Sequence, residues 1–186
     1  MIRKKTKLRD INLISVFIFL FAAAFYLLLE RPLLSEKQGS HGFVPVVDVY
    51  DGDTVGVIIN NTREKVRLTG IDAPETGQPP WDAKAKQYLQ TLVSEAGRQV
   101  KLELDVEERD QHGRILAYLI TPDGKHINLL MVKNGYAMLY TVPPNVRYAK
   151  ELAAAQTEAR EEKIGIWSDQ GLKERPADYR KTHPRK

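Results

Sequence analysis

The most informative part of this chain is the stretch RLTGIDAPET, residues 67–76. The residues that lead into it alternate between apolar and polar types, as the residues of a half-buried strand do. A second stretch, DGDT at residues 51–54, opens another β-branched run, and the Asn60-Asn61 pair between the two runs predicts a hairpin turn. We therefore expect the acidic residues of one stretch to meet the arginine of the other at one end of a β-hairpin.

These two stretches contain the residue types of a hard-cation site. Asp53 and Asp72 are candidate ligands, and the backbone carbonyl of Ala73, held extended by the proline after it, is a third. Glu75 is placed to orient or deprotonate an attacking water. Arg67 offers a forked donor that matches phosphate oxygens. A DGD sequence alone is most often a turn, so the interpretation depends on these residues occurring together.

A third stretch, His112-Gly113-Arg114, supplies a second arginine. An arginine in a strand is usually a solvated surface residue. Beside acidic metal ligands, however, Arg114 would stabilise the negative charge that gathers in a phosphoryl transition state. Taken together, the residues indicate metal-assisted hydrolysis of a phosphodiester.

Three stretches in this order closely resemble the thermonuclease (staphylococcal nuclease-like) family: DGDT at 51–54, VRLTGIDAPET at 66–76 and GRILAY at 113–118. The similarity continues through residues 128–137 and covers roughly residues 43–168. It implies a five-stranded oligonucleotide/oligosaccharide-binding (OB) barrel, Ca²⁺ as the cofactor, DNA and RNA as substrates, and 3′-phosphate products. The implied calcium ligands and catalytic side chains are, respectively, Asp53, Asp72 and Ala73, and Arg67, Glu75 and Arg114.

The chain departs from the family pattern in two places that concern the site. The family often has threonine where this chain has Ala73, but only the backbone carbonyl at that position would bind the metal. A substrate-stacking tyrosine is expected after the second helix. Tyr140 is the nearest candidate, and the TVPP stretch at residues 141–144 leaves its alignment open by a residue or two.

Periodicity predicts a mainly β protein with helices, of the α+β class. The predicted strands are 43–50, 54–59, 65–71, 100–104 and 114–120, and the predicted helices are 82–96, 127–134 and 145–163. In the third strand, alternation places Arg67 on the same face as Ile71. The pattern alone leaves a closed barrel and an open sheet undecided, whereas the resemblance favours the barrel with about three helices.

The N-terminal part of the chain predicts a membrane segment. Residues 11–29 carry no formal charge and are about long enough to cross a bilayer. Residues 1–10 are basic, which places them in the cytoplasm and the catalytic part outside a bacterial cell membrane. Residues 30–42 form a linker. A cleaved signal peptide, cut near the alanines at 22–24 and giving a secreted protein, is the alternative.

The formal net charge of +4 comes from the two ends of the chain. Residues 1–42 and residues 170–186 each carry +4, whereas residues 43–169 carry −4. The basic tail, residues 169–186, is either a solvated end or an aid to binding an anionic polymer. Cysteine is absent, which excludes disulfides and thiolate metal sites, and four scattered histidines do not predict a zinc site.

The sequence therefore predicts a membrane-tethered, Ca²⁺-dependent nuclease whose domain spans residues 43–168. We expect it to act on DNA and RNA, with a preference for single-stranded regions; no protein partner is implied, and a monomer is expected. One alternative is a catalytically silent OB-fold module that binds nucleic acid at the membrane. Another is a membrane-anchored scaffold protein with a structural Ca²⁺ site.

Overall fold

The structure of the protein is a computed structural model that describes residues 40–184. The predicted basic N-terminus, the membrane segment at 11–29 and most of the linker lie outside the described residues. Within 40–184, none of the helices combines the length and the apolar character needed to cross a membrane.

The strands of the described chain are β1 (Ser40–Val49), β2 (Thr54–Ile59), β3 (Thr62–Leu68), β4 (Ile71–Asp72), β5 (Gln99–Arg109), β6 (Ile115–Ile120) and β7 (Met138–Leu139). Five of them close into a barrel in the order β1-β2-β3-β6-β5, and β4 and β7 form a separate two-stranded sheet. In the barrel the β3–β6 pair is parallel and the other pairs are antiparallel. The predicted five-stranded barrel is confirmed.

The hairpin of β2 and β3 has the predicted turn. Asn60 and Asn61 both have positive φ, at 49° and 61°, as a two-residue hairpin loop requires. The register pairs Thr54 with Arg67, so Asp53 lies beside the end of β3.

The predicted third strand lies three residues too far along the chain, because β3 runs from Thr62 and ends at Leu68. Gly70 has a φ of +79°, which breaks the extended backbone, and Ile71 then pairs with Leu139 in the small sheet. Arg67 and Ile71 therefore do not share a strand face.

The described residues contain four α-helices rather than the predicted three. They are α1 (Trp81–Glu95), α2 (Ile127–Lys133), α3 (Ala149–Glu161) and α4 (Pro176–Thr182), with a 3₁₀ turn at Gly165–Trp167. Helix α3 starts four residues later than predicted, because the Asn145 amide bonds both backbone groups of Glu107 on β5. Helix α4 lies in the region predicted only as a basic tail.

The core fills the barrel and continues beneath three of the helices. Fully buried side chains come from the barrel strands and from α1, α2 and α3: Val46, Val55, Val57, Leu68, Leu102, Leu119, Leu89, Met131 and Leu152. This packing fixes the end of the β2–β3 hairpin against α1, where the acidic residues gather.

Candidate active site

The turn before β2 packs directly against the segment after β4. A Cβ atom at Gly52 would lie 2.6 Å from the Cβ of Ala73 and 2.7 Å from the Cβ of Ala85 on α1. Only glycine fits this contact without displacing its neighbours. The small residues at these three positions therefore allow the two acidic stretches to approach each other.

Asp53 joins the two stretches through its carboxylate. Its Oδ2 accepts a hydrogen bond of 2.9 Å from the backbone N–H of Ala73, and its Oδ1 accepts one of 3.1 Å from the hydroxyl of Thr54. The backbone N–H of Asp53 itself donates to Asp51 across the turn, at 3.0 Å. The position of this carboxylate is thus fixed by the backbone of both stretches.

One guanidinium bridges the two predicted metal ligands. The Nη2 atom of Arg67 lies 3.1 Å from Oδ2 of Asp53 and 3.2 Å from Oδ1 of Asp72. Its Nη1 atom donates to the carbonyl of Leu68 at 2.7 Å, which fixes the side chain. The Arg67 side chain is only 14% exposed and that of Asp72 only 3% exposed, so this is a buried arrangement of charges.

Burial and mutual repulsion raise the pKa values of carboxyl groups in this cluster. Burial is the largest cause of the raised pKa of Asp72, and the charge of Asp53 adds to it. The pKa of Asp51 is raised to about 6 by burial and then by the charge of Asp53. Crowded anions of this kind bind a cation favourably, because the cation removes their repulsion.

Glu75 lies next to this cluster. Its backbone N–H donates to Oε1 of the buried Gln78 at 2.9 Å, and its carbonyl accepts from the Gln78 backbone at the same distance. The Glu75 side chain is 12% exposed. Sequence reasoning gave Gln78 no role, because a glutamine in a loop has no distinctive pattern.

Arg180 on α4 is the residue that the sequence prediction missed. Its Nη1 lies 2.9 Å from Oδ1 of Asp72 and 2.6 Å from Oε1 of Glu75, and its Nη2 lies 3.0 Å from Oδ2 of Asp72. Hydrogen bonding to Asp72 raises the pKa of Arg180. The proline at the first turn of α4, Pro176, is a helix-start signal that could have predicted the helix. No local pattern indicated which residues that helix would contact.

Arg114 directly precedes β6, the strand beside Arg67, but contacts a different partner. Parallel pairing places Arg67 opposite Leu116, two residues beyond Arg114, so the two arginines lie near the same level of the barrel. The Nε and Nη2 atoms of Arg114 each lie 2.7 Å from Oδ2 of Asp110. The structure thus brings Arg67, but not Arg114, into contact with the carboxylate cluster.

Tyr140, the candidate stacking residue, directly follows β7, the strand that pairs with β4 and therefore with Asp72. Its backbone N–H donates to the carbonyl of Gly70 at 2.9 Å, beyond the end of β7. Its side chain is 45% exposed. The role of Tyr140 in substrate binding stays a prediction.

The donor set suits a hard cation such as Ca²⁺. Across residues 40–184, no group of three or more histidine, cysteine, aspartate or glutamate side chains is arranged to hold a metal ion. Asp53 and Asp72 instead offer two adjacent carboxylates, beside the backbone of Ala73. Two protein carboxylates are enough for Ca²⁺ when carbonyl, water and phosphate oxygens complete its coordination shell, so these residues fit the ion.

Residues 65–169 match the family model described as staphylococcal nuclease homologue, which is more than half of the chain. The chain belongs to the staphylococcal nuclease family. The matched region contains Arg67, Asp72, Ala73, Glu75 and Arg114.

Curated relatives agree with this family. The chain is 33% identical over 171 residues to Endonuclease YhcR of Bacillus subtilis, covering 83% of this chain and 14% of that protein. It is 35% identical over 128 residues to Endonuclease YncB of the same organism, covering 65% and 59%. It is 35% identical over 124 residues to Thermonuclease of Staphylococcus intermedius, covering 64% and 72%. The chain thus spans less than two thirds of the length of the first two of these relatives. The family and these names agree with the predicted class of hydrolytic nucleases.

Proposed function

We propose that the protein is a Ca²⁺-dependent nuclease that hydrolyses phosphodiester bonds of DNA and RNA. The observation that carries the proposal is the bridge formed by Arg67 between Asp53 and Asp72, with Glu75 beside it. Buried carboxylates suited to a cation, a forked phosphate donor and a candidate base then lie within a few side chains of one another. A binding module has no need of that combination.

Each residue of the cluster has a role in this proposal. Asp53, Asp72 and the carbonyl of Ala73 would hold Ca²⁺, which when bound polarises a phosphoryl oxygen and favours formation of hydroxide. Glu75 takes the proton of the attacking water. Arg67 exchanges its carboxylate partners for oxygens of the scissile phosphate, which its fork matches. In this way the same side chain holds the two carboxylates together and then orients the substrate.

Arg114 would act on the other side of the phosphate. Its guanidinium leaves Asp110 and stabilises the negative charge that develops on the phosphoryl oxygens. The water oxygen forms a bond to phosphorus as the bond to the 5′ oxygen breaks, and that oxygen leaves with a proton from solvent. The products are a 3′-phosphate and a 5′-hydroxyl, the cleavage sense that the family resemblance implies.

The proposed substrate preference is for single strands. Tyr140 follows β7 of the small two-stranded sheet and is exposed, as is Val142. Exposed aromatic rings next to an OB-type barrel stack on unpaired bases. Residues 43–169 carry a net charge of −4, so attraction to the polymer depends on a few arginines and the bound cation. We expect a modest dependence of binding on salt concentration for that reason.

We also propose that the catalytic part lies outside the cell membrane, tethered by residues 11–29. The support is the uncharged run and the basic residues before it. Protease treatment of intact cells that express the full chain tests this proposal. Two results together would support it: digestion of the domain in protease-treated cells, and recovery of the intact chain in the membrane fraction of untreated cells. Protection of the domain in intact, protease-treated cells would refute it.

An assay of the purified full-length chain tests the activity. Single- and double-stranded DNA and RNA are incubated with Ca²⁺, with chelator, and with Mg²⁺, and product ends are analysed by their sensitivity to a 3′-phosphatase. We expect Ca²⁺-dependent cleavage, faster on single strands. DNA binding without cleavage under any of these conditions would instead favour the catalytically silent binding module.

A further inference from the structure

The C-terminal segment, residues 170–184, follows the region that matches the family and folds back onto the active site. Three hydrogen bonds attach it to the loop and helix after Glu75. Nε1 of Trp81 donates to the Gln170 carbonyl at 3.3 Å, and Nε2 of Gln78 donates to the Glu174 carbonyl at 2.8 Å. The third, from the Tyr179 hydroxyl to the Gly77 carbonyl, measures 3.2 Å. The segment therefore lies beside the candidate base.

The segment places a guanidinium where a divalent cation would have to bind. The Arg180 guanidinium donates hydrogen bonds to both carboxylate oxygens of Asp72 and to one oxygen of Glu75. A Ca²⁺ ion on Asp72 needs at least one of those oxygens at 2.3–2.6 Å, and its charge repels a guanidinium at the same carboxylate. Arg180 and the cation are therefore alternative partners of Asp72.

Helix α4 has few buried apolar contacts. Pro176 is its buried residue. Leu172, which precedes the helix, packs against the apolar cluster of Trp81, Met138 and Ile166 and holds the start of the segment in place. Asp178 pairs with Arg175, which directly precedes the helix, and with Lys181 on the helix, and such exposed pairs contribute little to stability. Segments with few buried apolar contacts open at low free energy. Loss of the Arg180 contacts would thus release α4 without unfolding the barrel.

We propose that the C-terminal segment is an autoinhibitory latch, in which Arg180 occupies Asp72 and Glu75 until a divalent cation displaces it. The proposal rests on the proposed function for the cation, Ca²⁺, and for the activity that the latch restrains. The latch keeps the cluster neutralised and the candidate base engaged when Ca²⁺ is scarce. Cation binding releases Glu75 for the water and opens the rim to substrate in the same step.

The test compares the full chain with Arg180→Ala and with Lys181→Ala, which removes the same charge from the next residue without touching the cluster. Ca²⁺ affinity is measured by calorimetry in the absence of nucleic acid. Hydrogen exchange of residues 176–182 is followed with and without Ca²⁺. We expect Arg180→Ala to bind Ca²⁺ about tenfold more tightly, since removing a competing charged contact is worth at least that factor. Lys181→Ala should bind as the unmodified chain does.

Hydrogen exchange gives the second readout. In the unmodified chain, Ca²⁺ should accelerate exchange in α4, and in Arg180→Ala exchange should already be fast without Ca²⁺. Equal Ca²⁺ affinities for all three proteins, or exchange in α4 that Ca²⁺ leaves unchanged, would overturn the latch. So would failure of Arg180→Ala to bind Ca²⁺.

Nuclease assays separate this proposal from the proposed function. If Arg180→Ala lowers kcat/KM at saturating Ca²⁺ without altering Ca²⁺ affinity, Arg180 is a substrate contact and the latch is refuted, while the nuclease stands. If the affinity and exchange differences appear but none of the proteins cleaves nucleic acid, the displacement of Arg180 by Ca²⁺ stands and the proposed activity fails.

Discussion

The interior of the barrel and the carboxylate cluster at its rim are both buried, yet they bury opposite kinds of group. Inside, Leu102 and Leu119 belong to one apolar cluster, and their burial stabilises the fold. At the rim, Asp72 is 2% exposed, and burial raises its pKa. Burial in the interior thus stabilises the folded state, whereas burial of the charged groups at the rim destabilises it. Substitutions should therefore affect stability in one region and activity in the other.

The largest expected effect on stability comes from Leu102→Ala in the interior. Leu102 is fully buried, and removing its side chain should lower the free energy of unfolding by about 2–5 kcal/mol. Urea denaturation measures this loss, with Val106→Ala, an exposed position on the same strand, as the control. Activity per folded molecule should be unchanged. A loss of activity without a loss of stability would contradict the assignment of stability to the interior and activity to the rim.

Arg114→Ala should give the largest loss of activity. Removing a donor to a developing oxyanion costs roughly 2.7–4 kcal/mol, or about 100- to 1,000-fold in kcat. Arg109→Ala is the matched control, because Arg109 is near in sequence, half-exposed and paired with Glu64. Equal turnover of Arg114→Ala and the unmodified chain in single-turnover cleavage would exclude the proposed role.

Glu75→Gln should reduce turnover by about a hundredfold, as expected when a positioned base is lost. The change is nearly isosteric, so the unfolding midpoint should move little. Glu95→Gln, at an exposed position on α1, controls for the loss of one negative charge. Cleavage by Glu75→Gln at the unmodified rate would assign the base to another group.

Asp110→Asn should have the smallest effect. It should lower the free energy of unfolding slightly, by an amount that depends on pH. Burial raises the pKa of Asp110, but the hydrogen bonds from Arg114 outweigh it and lower the pKa overall. Its stabilisation is then present above the ordinary carboxyl pKa of 3.8 and lost as the pH falls through the lowered value. The variant should lose no more than about 1 kcal/mol at pH 7, and it should lose less at pH 3, which is below the ordinary carboxyl pKa of 3.8. Denaturation at both pH values checks this; a larger difference at pH 3 would contradict the shift.

The same contrast explains how far sequence reasoning reached. The hairpin was predictable, because the Asn60-Asn61 turn is local and the alternation of β2 and β3 is regular. That hairpin sets the meeting of Asp53 with Arg67, so half of the cluster followed from local signals. The end of β3 was missed because Gly70 and a short pairing with β7 override the alternation.

The contribution of α4 could not be read from sequence. Its contacts with the cluster span more than a hundred residues, as in the pair of Arg180 with Asp72. Composition described the region as basic, but charge does not specify a partner. Long-range polar contacts of this kind depend on the packed positions of several elements, for which periodicity carries no information.

Calcium binding by the rim is the central claim, and calorimetry on Asp53→Asn tests it most directly. We predict that the unmodified full-length chain binds Ca²⁺ and that Asp53→Asn binds it at least about tenfold more weakly, since one charged ligand oxygen is lost. Asp48→Asn, an exposed aspartate paired with Arg63 on the barrel wall, should bind Ca²⁺ as the unmodified chain does. Equal Ca²⁺ affinity for Asp53→Asn and the unmodified chain would contradict the claim.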